Sequence, residues 1–260
     1  MPPRYEPILR IDHEADPPTP RAAHTGGGAE NRTPLRLAVA QPPCVPLDVE
    51  QNARAHADAV RAARARVVVF PELSLTGYEL QAPTVPLDDR RLTPLVEACA
   101  EVGTVALAGA PVAGDHIGVL AVTGGGVSVA YRKMCLGGVE GQRFRPGDTP
   151  GVLEVDGWRI GLAVCKDTGV AAHAETTAAL GIDVYAAGVL ESARDAAVPD
   201  ERARRIVATH GFWVAMASFA GSTGGGYREA AGGSAIWTPR GDVAAGVGTT
   251  PGEWAAASIR

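Results

Sequence analysis

Short apolar runs, separated by segments of helical periodicity, set the tightest limit on how this chain can fold. Val67-Val68-Val69-Phe70 is the clearest of them, four apolar residues closed by Pro71. It is too short for a helix and apolar in both directions, the mark of a strand buried on both faces. Similar runs occur at residues 35–40, 105–109, 118–122, 127–131, 152–155, 159–164, 184–187, 212–217, 233–237 and 243–246. Helices are predicted between them, over residues 48–64, 92–102, 172–180 and 201–210. The first begins at Asp48-Val49-Glu50-Gln51, which resembles a capping box. Gly124-Gly125-Gly126 and Asp156-Gly157 suit hairpin turns. Strands and helices in alternation imply an α/β layer architecture.

The chain has 260 residues, 46% of them hydrophobic, enough for one large domain with a substantial core. Its formal net charge of −5 offers no footprint for nucleic acid or an anionic membrane. No apolar run approaches the roughly 18 residues of a membrane span. The start, Met1-Pro2-Pro3-Arg4-Tyr5-Glu6, lacks the apolar stretch of a signal peptide. Cys44, Cys99, Cys135 and Cys165 show no C-x-x-C spacing, and no histidine pair has helical metal spacing. The expectation is a cytoplasmic protein with free thiols and neither metal nor cofactor. Residues 1–33 are rich in Pro, Gly and charge and read as a tail, flexible or docked on a neighbour. The folded domain is expected over residues 34–260.

Three strand-like runs each end in a reactive group. Glu72 follows Phe70-Pro71, where desolvation raises a carboxyl pKa toward the range of a general base. Lys133 follows Tyr131-Arg132, where a fixed ammonium can stabilise an oxyanion. Cys165 closes Gly161-Leu162-Ala163-Val164 and precedes Lys166-Asp167, which places a nucleophilic thiol at a strand end. Each also has a plainer reading: a solvated loop carboxylate, an exposed strand end and a buried structural cysteine. Cys99 lies in a helical pattern and Cys44 follows Pro42-Pro43, so both fit a structural role. Cys135 is close enough to Lys133 to line the same cleft. His173, eight residues after Cys165, admits a Cys–His pair, but Glu72 and Lys133 supply base and oxyanion partner without it. Residues 221–226, Gly-Ser-Thr-Gly-Gly-Gly, lack the Lys-Ser/Thr of a phosphate loop and read as a flexible surface loop.

Taken in order, Phe70-Pro71-Glu72-Leu73-Ser74-Leu75-Thr76-Gly77-Tyr78, Tyr131-Arg132-Lys133 and Gly161-Leu162-Ala163-Val164-Cys165-Lys166-Asp167 resemble the nitrilase superfamily of carbon–nitrogen hydrolases. Glu140, Phe144, Pro146 and Gly147 match the pattern downstream of the lysine in that family, and the resemblance runs over residues 35–258. It implies a four-layer α-β-β-α sandwich and a Glu72–Lys133–Cys165 triad. It makes Glu140 a second acid that orients Lys133 and substrate, with Tyr78 and Lys166 on the substrate side and the Lys166 backbone N–H at the oxyanion. It further implies hydrolysis of a small amide through a thioester, without a cofactor, by a homodimer or larger homo-oligomer. Nitrile or carbamoyl hydrolysis, acyl transfer, or a non-catalytic binding subunit are the alternatives on the same scaffold. Many relatives carry Arg-Phe-Pro-Glu shortly after the cysteine. Here the run is Thr168-Gly169-Val170-Ala171-Ala172-His173, which removes an arginine that holds a substrate carboxylate in some relatives.

Overall fold

The computed structural model describes residues 8–11 and 32–260. The first half holds β1 (Ile8–Ile11), β2 (Leu35–Ala40), α1 (Val49–Ala63), β3 (Val67–Val69), α2 (Thr93–Val102), β4 (Val105–Val112), β5 (His116–Thr123) and β6 (Gly126–Arg132). The second half holds β7 (Gly151–Val155), β8 (Trp158–Val164), α3 (Ala171–Ala178), β9 (Val184–Val189), α4 (Val198–His210) and β10 (Trp213–Ser218). The chain closes with β11 (Ala220–Gly221), β12 (Ala230–Ala231), β13 (Ala235–Trp237), β14 (Val243–Gly246) and β15 (Trp254–Ile259).

The large strands form two sheets. One has the order β15-β2-β3-β4-β5-β6, the other β1-β7-β8-β9-β10-β13-β14. Their inner faces meet in one apolar core, with Leu37, Val69 and Leu107 on one side and Leu153, Ile160, Leu162 and Ala186 on the other. The outer face of the first sheet packs on α1 and α2 through Ala53, Ala57, Val60, Leu95 and Ala98. The outer face of the second packs on α3 and α4 through Ala174, Ala203, Ile206 and Val207. The result is the four-layer α-β-β-α sandwich. Strands covered on both faces have no room for polar alternation, which is why β3, β4 and β9 are buried at every position.

Local signals account for most element ends. The Asp48 carboxylate accepts the Gln51 N–H at 3.0 Å, and α1 ends at Arg64 in the left-handed region. Asp156 and Gly157 both take positive φ in the β7–β8 turn, as a tight hairpin demands. α4 begins three residues before its predicted start, because Pro199 is tolerated in a first helical turn.

Two expectations need correction. Part of the tail is a structural element: β1 pairs in parallel with β7 from Ile8↔Val152 to Ile11↔Val155, and Leu9 and Ile11 pack against the inter-sheet core. Arg32 forks onto the Asp183 carboxylate at 2.6 and 2.8 Å, and the Trp158 indole N–H donates to the Thr33 carbonyl. The apolar pattern of Ile8-Leu9-Arg10-Ile11 is too short to read as a strand without the β7 edge that receives it. The rest of residues 1–33 lies outside the described residues. The 221–226 loop is also more than surface. Thr223 and Gly224 are buried, and the Thr223 hydroxyl and Gly224 N–H both donate to the Gly77 carbonyl, at 2.9 and 2.7 Å.

Candidate active site

Glu72 leaves β3 along the seam between the two sheets. A Cβ on Gly109 of β4 would lie 2.6 Å from the Pro71 carbonyl oxygen and 2.9 Å from the Glu72 carbonyl carbon. One on Gly188 of β9 would lie 2.5 Å from the Phe70 oxygen and 2.8 Å from the Glu72 nitrogen. The Glu72 peptide is therefore gripped by a glycine from each sheet, an approach no side chain allows. The loop beyond it is braced by buried polar residues of α1. The Asn52 amide donates to the Leu75 carbonyl at 3.1 Å. His56 Nδ1 donates to the Asn52 carbonyl at 2.6 Å, so its Nε2 accepts from the Ser74 hydroxyl at 2.8 Å. Burial pushes His56 down to about 4, so the ring stays neutral in this role.

Lys133 leaves β6 fully buried, its ammonium placed between two acids. It donates to Glu72 Oε1 at 2.6 Å and to both oxygens of Glu140 at 2.8 Å. Glu140 sits in the short turn Gly138–Gln142 and accepts also from Gly137 N–H at 2.6 Å and the Tyr78 hydroxyl at 2.9 Å. The second Glu72 oxygen, Oε2, is buried and receives no hydrogen bond from the described residues.

Burial, helped by the neighbouring Glu140 charge, pushes the Glu72 carboxyl up to about 7 against the pull of Lys133. Burial alone would lower Lys133, but Glu72, Cys165 and Glu140 reverse it and hold the ammonium firmly charged.

Cys165 begins the turn Cys165–Gly169 directly after β8, with φ +40°, a left-handed conformation for a side-chain-bearing residue. Such strain is held only where surrounding structure enforces it. The enforcement comes from Asp167, whose buried carboxylate accepts the Val164 N–H at 2.9 Å and the Cys135 N–H at 2.8 Å. The half-buried Cys165 thiol lies 3.4 Å from the Leu190 carbonyl. Burial and then the Glu72 charge push its pKa up, while Lys133 pulls it down. The thiol thus shares one electrostatic environment with Glu72 and Lys133.

Around this cluster, Tyr227 meets Tyr78 edge to face at 5.5 Å and packs with Leu190. Glu191 follows Leu190 and pairs with Arg202 at 2.9 Å. Cys135 is half-buried beside Asp167, and the Lys166 side chain is exposed. His173 is buried between Tyr131 and Tyr185, at 2.8 and 2.9 Å, and takes part in no Cys–His pair. Sequence reasoning passed over Asn52, His56, Glu191 and Tyr227, and quoted Tyr131 only as part of the lysine motif. Only the first two left a usable signal, polar residues four apart on the apolar face of a helix. The fold thus brings Glu72, Lys133, Glu140 and Tyr78 into one hydrogen-bonded cluster, with Cys165 electrostatically joined to it. No group of three or more His, Cys, Asp or Glu suited to a metal occurs among the described residues.

An acid, a lysine and a thiol thus stand at strand ends of a layered sandwich. Residues 36–260 match the carbon–nitrogen hydrolase family model, and the chain belongs to that family. A protein of Pseudomonas protegens described as a hydrolase in the pqqF 5′ region is 32% identical over 164 residues. That match spans 58% of this chain and 57% of the relative, so it covers little more than half of either. Among solved structures, the amidase from Nesterenkonia sp. AN1 superposes with a TM-score of 0.77 at 24% identity. In that form, covering 86% of this chain and 90% of the amidase, it shows covalent addition of the acetamide moiety of fluoroacetamide at its active-site cysteine. That form is a substituted one, and a second substituted form, in complex with butyramide, matches with the same TM-score, identity and coverage. At that identity the likeness demonstrates the shared fold.

Proposed function

We propose that the protein is an amidohydrolase that cleaves a small amide by nucleophilic catalysis from Cys165. The observation that carries the reading is the geometry of Glu72: one oxygen is bound to Lys133 and the other is buried and free of donors among the described residues. A carboxylate so placed, with its pKa raised to about 7, is poised to accept and return a proton at neutral pH.

The steps follow from that poise. Glu72 takes the thiol proton as sulfur attacks the amide carbon. Lys133, with the Lys166 backbone N–H, faces the negative charge that develops on the carbonyl oxygen. Glu72 returns the proton to the departing nitrogen, and ammonia or an amine leaves a thioester on Cys165. Glu72 then activates water, which releases the carboxylic acid and restores the thiol. Glu140 keeps Lys133 aimed at the developing oxyanion, with Tyr78 fixing Glu140 in turn. The presence of Glu72, Lys133 and Cys165 together favours a catalyst over a binding subunit. The reading includes a cytoplasmic location, consistent with four unpaired cysteines, and a homo-oligomeric assembly on family resemblance.

The test is incubation with a panel of short aliphatic amides and nitriles, with ammonia release and intact-protein mass spectrometry as readouts. The expected result is ammonia from amides and an acyl mass on Cys165. Absence of both, with Cys165 no more reactive to iodoacetamide than Cys44 or Cys135, would overturn the reading.

A further inference from the structure

We propose that His173 is a positioning residue of this site, acting through Tyr131 to hold the lysine-bearing segment and the cysteine-bearing turn in one frame. The proposal rests on the amidohydrolase reading above.

The frame is centred on Asp167. Its Oδ1 receives the Cys135 N–H, two residues after Lys133, and its Oδ2 receives the Val164 N–H, one residue before Cys165. A single buried carboxylate therefore ties together the backbones that carry the ammonium and the thiol. The Tyr131 hydroxyl also donates to Oδ2, at 2.9 Å, and accepts the N–H of Met134, the residue directly after Lys133, at 3.1 Å. A phenol has one hydrogen, and here it goes to the carboxylate. His173 Nε2, 2.8 Å from the same phenol oxygen, must then be the donor. Its Nδ1, 2.9 Å from the Tyr185 hydroxyl, must be the acceptor if the ring is neutral. Burial lowers the His173 pKa, which favours the neutral ring.

Each hydrogen in the chain thus has one direction, from Tyr185 to His173 to Tyr131 to Asp167. All four side chains are buried. Buried groups that satisfy one another completely hold a single arrangement, whereas a missing member leaves a buried polar atom unpaired. Residues 168–173, where this chain departs from the family's usual run after the cysteine, are the segment that delivers His173. The histidine does not touch the thiol. Its effect passes through Tyr131 to Asp167 and Met134, and from them to Cys165 and Lys133.

Asparagine and glutamine divide the two bonds of the histidine. By reach, His173→Asn keeps an acceptor near Tyr185 and loses the donor to Tyr131. His173→Gln keeps a donor at the Tyr131 distance. The full-length protein and both variants would be treated with iodoacetamide, and alkylation of Cys165, Cys44 and Cys135 followed by peptide mass spectrometry. The expected result is a Cys165 rate lowered about 10- to 100-fold in His173→Asn, the scale of a misplaced reacting group. His173→Gln is expected to stay within about threefold of the parent on the same reasoning. Melting temperatures fall in both and do not distinguish them. If both variants slow Cys165 alike, or neither does, His173 only fills space and the proposal is overturned. If His173→Asn does not fold, His173→Phe replaces it as a space-filling change without a donor: a Cys165 slowed relative to His173→Gln supports the proposal and an equal rate overturns it. If Cys165 in the parent protein reacts no faster than Cys44 and Cys135, and the amide panel yields neither ammonia nor an acyl adduct, the amidohydrolase reading fails and the proposal fails with it.

Discussion

Glu140→Gln tests the electrostatics of the site more sharply than removal of any triad member. Glutamine keeps the size of the side chain and can still accept from Lys133 and Tyr78 through its oxygen, so the change removes one charge together with the bonds that Oε2 accepts from Gly137 and Lys133. Lys133 bridges Glu72 and Glu140 with bonds of 2.6 and 2.8 Å, which brings the two carboxylates close together. Two unit charges about 6 Å apart, at an effective dielectric of about 20, repel by about 3 kcal/mol. At about 1.4 kcal/mol per pH unit that corresponds to about two units at most. Glu140 is one of the causes that raise Glu72 to about 7, so its loss lowers the Glu72 pKa.

The expected outcome is an acid limb of kcat/KM near pH 7 in the parent and about one to two units lower in Glu140→Gln. The position of the limb decides the test, whatever the height of the profile. The same limb is measurable as the pH dependence of Cys165 alkylation. A linked equilibrium gives a second check. Glu72 has a folded pKa raised from 4.5 to about 7, so its contribution to stability is fully present below 4.5 and is lost as pH rises through about 7. In Glu140→Gln that loss shrinks, and the fall in unfolding free energy between about pH 5 and 7 becomes shallower. A limb that stays in place, or moves up, would refute the account of Glu72 as a base tuned by its neighbours.

Cys165→Ala should abolish both the acyl adduct and turnover, measured by mass spectrometry and ammonia release, because the thioester has no other atom to form on. Lys133→Ala leaves two buried carboxylates without their cation and should cost about 3–5 kcal/mol in urea unfolding, with turnover falling on the order of 100–1,000-fold. Gly188→Ala forces a methyl against the Phe70 oxygen and the Glu72 nitrogen; it should lower stability by about 1–3 kcal/mol and displace Glu72, seen as a larger loss in kcat than in KM. Deletion of residues 1–11 removes β1 and uncovers the β7 edge and the core beside Leu9 and Ile11. It should lower the melting temperature while leaving the Cys165 alkylation rate unchanged.

The fold class, most strands, the four helices and the strand-end positions of Glu72, Lys133 and Cys165 were legible in the sequence. Hydrophobic periodicity and local capping report burial and chain direction, and these are properties of neighbouring residues. Val67–Val69 reads as a doubly buried strand because no polar residue interrupts it, and Asp48 reads as a cap because its partner is three residues away. Longer-range facts were not legible. β1 is a strand only because β7, from the other half of the chain, offers an edge in the Ile8↔Val152 register. The grip of Gly109 and Gly188 on the Glu72 peptide joins three strands from two sheets, and a glycine in a strand carries no mark of what approaches it. His173 looked like a lone helix histidine because its partners Tyr131 and Tyr185 come from different sheets. The sequence by itself determined which groups can react, since reactivity resides in residue type and strand position. Tertiary structure alone decided how far Glu72 is desolvated and what keeps Cys165 in its strained turn, because hydrogen bonding and dielectric depend on residues that meet only when the two sheets pack.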